Sequence, residues 1–305
     1  MHIHLAFPRG FCAGVNRAIS TLAQVVQKYG APVWVFHEIV HNTWVVRDFQ
    51  QQGVYFVDSL DKIPDGSCVM YSAHGVAPEI REQAKQKSLR VIDATCPLVA
   101  RIHVQARKLA DAGYQIVLIG HAGHDEVVGI QQEAPHAIRI LRTPDEAETL
   151  MLEDDSQPLA YLTQTTLSVA ETAAVVAILK RRFPQIHEPQ ADGICFATQN
   201  RQRAVRELAC TADIVLVIGS SSSSNSRRLQ ELAAKQGVTA YLVDGVEDLQ
   251  ADWFTPTQNV LITAGASAPE QIVQSVVAYL QENYQADVEE CRVCDEFLQF
   301  QLPIL

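Results

Sequence analysis

The sequence predicts an α/β protein of three similar lobes, each with a small parallel sheet, in a pseudo-threefold arrangement around a central pocket. Three observations predict it. Cys12, Cys96 and Cys195 stand alone, cut the 305-residue chain into near-equal thirds, and each opens a helix-like segment. Within each third, short apolar runs alternate with helical patterns, the order that builds parallel sheets. Polar turns recur at matching places after those runs, where open parallel sheets hold their ligands, beyond the carboxyl ends of the strands.

The elements follow in order. The cysteine helices read C-A-G-V-N-R-A-I, C-P-L-V-A-R-I-H and C-F-A-T-Q-N-R-Q. After each comes an apolar strand and a polar turn: V-W-V-F then H-E-I-V-H-N, I-V-L-I then G-H-A-G-H-D-E, and I-V-L-V-I then G-S-S-S-S-S-N. A helical stretch follows, then a strand with an acidic exit: V-Y-F-V-D, I-R-I-L-R-T-P-D and A-Y-L-V-D. A last strand enters a second polar turn: V-M-Y-S-A-H-G, A-Y-L-T-Q-T-T and V-L-I-T-A-G-A-S. The expected lobes are 1–95, 96–194 and 195–285. Residues 286–305 break the pattern and are expected to pack on the body as a tail.

Composition excludes several classes. The chain is 48% hydrophobic and 19% charged, as soluble globular proteins are. No apolar run reaches the roughly 18 residues of a membrane span. The N-terminus lacks the basic region and apolar stretch of a signal peptide, so a cytoplasmic location is expected. A net charge of −11 disfavours nucleic acid and anionic membranes as partners. It leaves room for a small anion, because helix N-termini and histidines hold phosphates locally.

Seven cysteines in such a chain point to metal or redox use rather than disulfides. Three equivalent thiolates can hold three corners of a 4Fe-4S cluster, whereas electron-transfer clusters usually have four cysteine ligands. The missing ligand leaves one metal position open, where chemistry can occur. Cys68 on an apolar strand and Cys210 on a helix are expected in core roles. Cys291 and Cys294 lie outside the repeat and are read as an exposed or semi-exposed pair without function.

Glu126 falls in a polar turn two residues after His124, where a carboxyl can relay protons. His41, His74 and His124 occupy polar turns and can donate hydrogen bonds to a phosphate. His121 and His136 have no matching position. Ser223, Ser224 and Asn225 sit where a strand meets a helix, the place for an anion cradle. Ser267 stands similarly before a helix, as cap or ligand contact. Thr165 and Thr166 complete the set.

These motifs, with S-A-H-G-V, D-A-T-C-P-L-V, Q-T-T-L-S, C-x-A-T-x-N-R-Q, S-S-N-S and G-A-S-A-P, resemble the 4-hydroxy-3-methylbut-2-enyl diphosphate reductase family. They run in the family's order from about residue 8 to 285. The resemblance implies three α/β lobes around a central iron–sulfur cluster bound by Cys12, Cys96 and Cys195. It implies that an allylic diphosphate is the substrate, that its hydroxyl binds the open iron, and that two electrons and protons remove it as water. Glu126 carries over as proton donor and Thr165 as its partner. His41, His74, His124, Ser223, Ser224, Asn225 and Ser267 carry over as substrate contacts, mainly to the diphosphate. Ferredoxin or flavodoxin is the implied electron donor, and a monomer or homodimer the expected assembly.

Five positions depart from the family pattern: Asn16, Asp125, Val128, Ser221 and Ser222. All flank the carried residues. Three other readings compete. An iron–sulfur carrier would need a fourth ligand, from Cys291 or Cys294. A zinc enzyme would be colourless, and a phosphate-binding module would bind ligand without metal.

Overall fold

The apolar runs fold as strands, and the amphipathic runs between them as helices. The computed structural model describes residues 1–154, 156–189 and 193–305. In chain order these form β1 (His2–Phe7), α1 (Ala13–Tyr29), β2 (Val33–Phe36), α2 (Thr43–Gln51), β3 (Val54–Val57), β4 (Cys68–Tyr71), α3 (Pro78–Gln86), β5 (Arg90–Asp93) and α4 (Pro97–Asp111). Next come β6 (Gln115–Ile119), α5 (Asp125–Gln131), β7 (Ile138–Leu141), α6 (Pro144–Thr149), β8 (Leu159–Thr163), α7 (Val169–Arg182) and α8 (Phe196–Leu208). The chain closes with β9 (Ile214–Ile218), α9 (Ser224–Lys235), β10 (Thr239–Val243), β11 (Asn259–Ala264), α10 (Glu270–Tyr284) and β12 (Asp287–Arg292).

The strands make three sheets, ordered β3-β2-β4-β5, β7-β6-β8 and β10-β9-β11-β1-β12. All their pairings are parallel. The strand after each cysteine helix (β2, β6 or β9) lies between the two strands that follow it in sequence. Buried parallel strands read as continuous apolar runs, and β9, Ile-Val-Leu-Val-Ile, is buried at every position. Helices cover the sheets through one face each. In α4 the buried face is Val99, Ile102, His103 and Ala106; in α10 it is Val273, Val276, Val277 and Leu280. Both follow the helical repeat.

The strand that leads into each cysteine pairs with the sheet before it. β5 leads to Cys96 and pairs with β4. His187 precedes Cys195 and bridges to Ala160 of β8. β1 leads to Cys12 and pairs with β11. Thus β1 lies in the sheet expected for residues 195–285, although its sequence position had put it in the lobe 1–95. The tail contributes β12, a fifth strand along β1; its polar sequence D-V-E-E-C-R hid it.

By contacts the chain divides into two units. One comprises Met1–Asn16, Val40–Gln51 and Phe196–Phe300 and carries the five-stranded sheet. The other comprises Arg17–Ile39, Gln52–Cys195 and Gln301–Leu305 and carries the two smaller sheets. Within this second unit, Glu133 joins the first two expected lobes. Its carboxylate accepts from His103 Nδ1 at 2.7 Å, from Arg107 at 2.8 Å and from Arg81 of α3.

Leu216, central in β9, is wholly buried. Leu216→Ala is expected to cost about 2–5 kcal/mol of stability by the lost burial and the cavity left behind. Urea denaturation checks this; a loss below about 1 kcal/mol would mean that β9 is not the packed centre of its sheet.

Candidate active site

Each of the three cysteines enters its helix through the same hydrogen bond. The Cys12 N–H donates to the carbonyl of Ala266 at 3.1 Å, Cys96 N–H to Ala73 at 3.0 Å, and Cys195 N–H to Thr165 at 3.0 Å. Each acceptor lies two residues beyond a strand end, after β11, β4 and β8. The next residues are Ser267, His74 and Thr166. Parallel sheet ends and helix starts therefore bring a thiol beside a polar turn in each case. All three thiols are half-buried.

The second unit holds Glu126 and its partners. Glu126 is on the first turn of α5 and 1% exposed. Its Oε1 accepts from Thr165 N–H at 2.7 Å and its Oε2 from Thr165 Oγ1 at 2.8 Å. Both carboxylate oxygens are thus fixed by one residue of the neighbouring turn. His124 caps α5: its Nδ1 accepts from the Glu126 N–H at 3.2 Å. With Nδ1 accepting, the neutral ring carries its proton on Nε2 and can donate there. The His74 and His124 rings meet edge to face, 5.8 Å between centroids.

Asp125, one of the departures, lies against histidines. Its carboxylate is 2.7 Å from His37 Nδ1 and 4.0 Å from His74 Nδ1. The hydrogen bond to Asp125 raises the pKa of His37 above the ordinary histidine value, against the opposing effect of burial. The other departures, Asn16, Val128, Ser221 and Ser222, are all exposed.

The first unit holds the serine turn. Ser223 caps α9, accepting from Ser226 N–H at 3.3 Å and contacting Ser226 Oγ at 3.0 Å. Ser267 Oγ donates to the carbonyl of His41 at 2.9 Å and lies 3.5 Å from Ser223 Oγ. Gly219 and Gly265 allow this closeness: a Cβ on either would stand 2.3 or 2.0 Å from Ser226 Oγ. Ser224 Oγ and both amide atoms of Asn225 are buried without a hydrogen-bond partner. Buried polar groups are nearly always satisfied, and these three open atoms on the first turn of a twelve-residue helix have the chemistry to bond a polar ligand.

Sequence reasoning missed three supports. Gln164 accepts from His121 N–H at 3.0 Å and donates to Thr166 Oγ1 at 3.0 Å, which fixes the turn that carries Thr165. Arg201, 1% exposed, donates to the carbonyl of Gly10 at 2.7 Å and pairs with Glu296 at 3.1 Å, which fixes the turn before Cys12. Both lie inside quoted motifs, next to residues singled out for chemistry. The third, His103, packs beneath the turn of His74: a Cβ on Gly75 would stand 2.7 Å from its Nε2. Cys210 corrects an expectation. It is exposed, in the short turn Ala209–Thr211 that follows the end of α8 at Leu208. Cys68 is half-buried at the start of β4.

Fold and side chains together define a class: a parallel α/β protein of three small sheets, with cysteine-headed helices at strand ends and polar turns with open hydrogen-bonding groups. A family model described as LytB protein matches residues 3–281. The chain belongs to that family. It is 54% identical over 303 residues to 4-hydroxy-3-methylbut-2-enyl diphosphate reductase of Rhodopirellula baltica, covering 99% of this chain and 95% of that one. It is 48% identical over 305 residues to the reductase of the same name from Magnetococcus marinus, covering 100% and 99%. Among solved structures, the E-1-hydroxy-2-methyl-but-2-enyl-4-diphosphate reductase of Plasmodium falciparum superposes with a TM-score of 0.95 at 38% identity, covering 99% of this chain and 95% of that one.

Arg201→Met leaves Glu296 buried without its cation, and such a loss is expected to cost about 3–5 kcal/mol; thermal and urea unfolding check it, and an unchanged midpoint would refute the role given to Arg201. Glu133 supplies a pH test. Burial acts to raise its pKa, but hydrogen bonds from His103, Arg81 and Arg107 outweigh burial and hold it at about 2. Its stabilisation is therefore complete above the ordinary glutamate value and fades as pH falls toward 2. The stability gap between the native chain and Glu133→Gln is expected to be full at pH 7 and to shrink below about pH 4.5. A gap that does not change with pH would contradict the ionised network.

Proposed function

We propose that this chain reductively dehydroxylates (E)-4-hydroxy-3-methylbut-2-enyl diphosphate to isopentenyl and dimethylallyl diphosphate, the final step of the methylerythritol phosphate route to isoprenoids. Full-length similarity to reductases of that name supports the reaction. The single structural observation that carries the reading is the buried Glu126 carboxylate, held at both oxygens by Thr165 two residues after the capping His124. The balance is one allylic alcohol, two electrons and two protons giving one alkene diphosphate and water.

The cofactor in this reading is a 4Fe-4S cluster with Cys12, Cys96 and Cys195 as its ligands. The three matching N–H bonds fit that role, since they fix equivalent half-buried thiols at helix starts. When bound, such a cluster supplies single electrons and, with three thiolates, an open Lewis-acid iron.

The chain's own residues do the rest. His41, His74, His124, Ser223, Ser224, Asn225 and Ser267 bind the substrate, mainly at its diphosphate. Open atoms of Ser224 and Asn225 and the α9 N-terminus suit an anion. His124 donates from Nε2. Remote binding energy at the diphosphate then positions the reacting carbon. When Glu126 is protonated at Oε2, its bond with Thr165 reverses, so that Oε2–H donates to Thr165 Oγ1 and the Thr165 proton is free to turn to the substrate. A hydroxyl accepts and donates at once, so Thr165 can take that proton while passing its own to the departing oxygen. Thr166, fixed by Gln164, shapes the same turn. Electrons come one at a time from ferredoxin or flavodoxin, and the enzyme works as a monomer or homodimer in the cytoplasm. No helix among the described residues is long and apolar enough to cross a membrane.

Glu126→Gln keeps the shape of the side chain and removes the acid. Turnover with a one-electron donor is expected to fall about 10²–10⁴-fold, the usual worth of general acid catalysis, with iron content unchanged. Wild-type turnover in that variant would remove Glu126 from its role.

A further inference from the structure

The edge of the five-stranded sheet carries a second group of metal-ligating side chains. β1 and β12 run parallel in the register His2 to Asp287, His4 to Glu289 and Ala6 to Cys291. Strand side chains alternate between faces. His2 and His4 therefore share one face with Asp287, Glu289 and Cys291. None of these residues serves the reaction proposed above.

We propose that His2, His4 and Glu289 form a zinc-binding site. One donor atom from each lies within 4.8 Å of the others. His2 Nε2 and Glu289 Oε2 are 3.5 Å apart. Two donors at ~2.1 Å from one tetrahedral ion stand ~3.4 Å apart, so this pair is already spaced for zinc. Asp287 holds the other nitrogen of His2, Nδ1. That bond leaves the Nε2 lone pair toward Glu289, the arrangement in which a carboxylate orients a ligating imidazole. The two rings meet edge to face with centroids 4.5 Å apart. Cys291 Sγ lies 3.5 Å from His4 Nδ1, adding a soft donor to the same face.

The donor set names the ion. Two imidazoles and one carboxylate suit zinc and similar transition metals; magnesium and calcium prefer all-oxygen sites. Bound there, zinc joins β12 to β1 by side chains as well as by the backbone ladder. It thereby secures the strand that leads into the turn of Cys12.

The test is zinc titration of cluster-loaded protein against a chromogenic chelator, for the native chain, His4→Ala and Glu289→Ala. The expected result is one zinc per chain in the native protein, with affinity at least about 10-fold weaker in each variant. Zinc-edge X-ray absorption on the native protein is expected to show imidazole scattering at two-histidine intensity. Magnesium at the same concentration should not compete. Equal zinc affinity in all three proteins, or no imidazole scattering at the zinc edge, would overturn the site. Glu289 is exposed, so the Glu289→Ala variant removes a ligand without touching the core, and it decides the test should the half-buried His4→Ala fail to fold. Cys12→Ser is the control for zinc at the cluster thiols: it should keep this site, and loss of the zinc there would assign the metal to those thiols instead.

Discussion

One hydrogen bond, made three times, underlies the rest of the structure: a cysteine N–H donating to a carbonyl two residues past the end of a parallel strand. It fixes where the helix starts and where the next turn lies. A parallel strand ends with unpaired backbone groups, and a helix begins with four unpaired N–H groups. Joining the two satisfies one of each and leaves a thiol at the junction. The residue after each acceptor, Ser267, His74 or Thr166, directly follows the carbonyl that holds the cysteine N–H. The chemistry proposed for the cysteines and the recognition proposed for the turns would both rest on this one local constraint.

Much of this was legible because its signals are local. Buried parallel strands read as apolar runs, so β2, β6 and β9 were found with the turns that follow them. A cysteine before an amphipathic run announced each helix start. Glu126 and Thr165 came from separate motifs, and the structure joins them through two hydrogen bonds. What stayed hidden depends on partners far away in sequence. Nothing in H-I-H-L-A-F says that β1 pairs with β11 and β12. The polar β12 carries no strand pattern because an edge strand buries little. Gln164 and Arg201 look like ordinary polar residues, and only burial shows their work.

Two sets of buried polar groups contrast. Glu133 and Arg201 are fully engaged with protein partners and hold backbone in place. Ser224 and Asn225 keep open atoms. An unsatisfied buried donor or acceptor costs roughly 1–3 kcal/mol, and a ligand that engages it removes that cost. Stability set aside at the start of α9 is thus available to binding. Of the five positions read as departures from the family pattern, four are exposed, and the fifth, Asp125, is partnered by His37 and His74.

The proposed 4Fe-4S cluster would be held by three cysteines and no fourth. Mössbauer spectroscopy of anaerobically purified, iron-57-enriched protein, with and without the allylic alcohol diphosphate, tests it most directly. One iron site distinct from the other three is expected, with parameters that shift when the diphosphate is added. Four equivalent irons that ignore the diphosphate would mean a fully ligated cluster, and would contradict it.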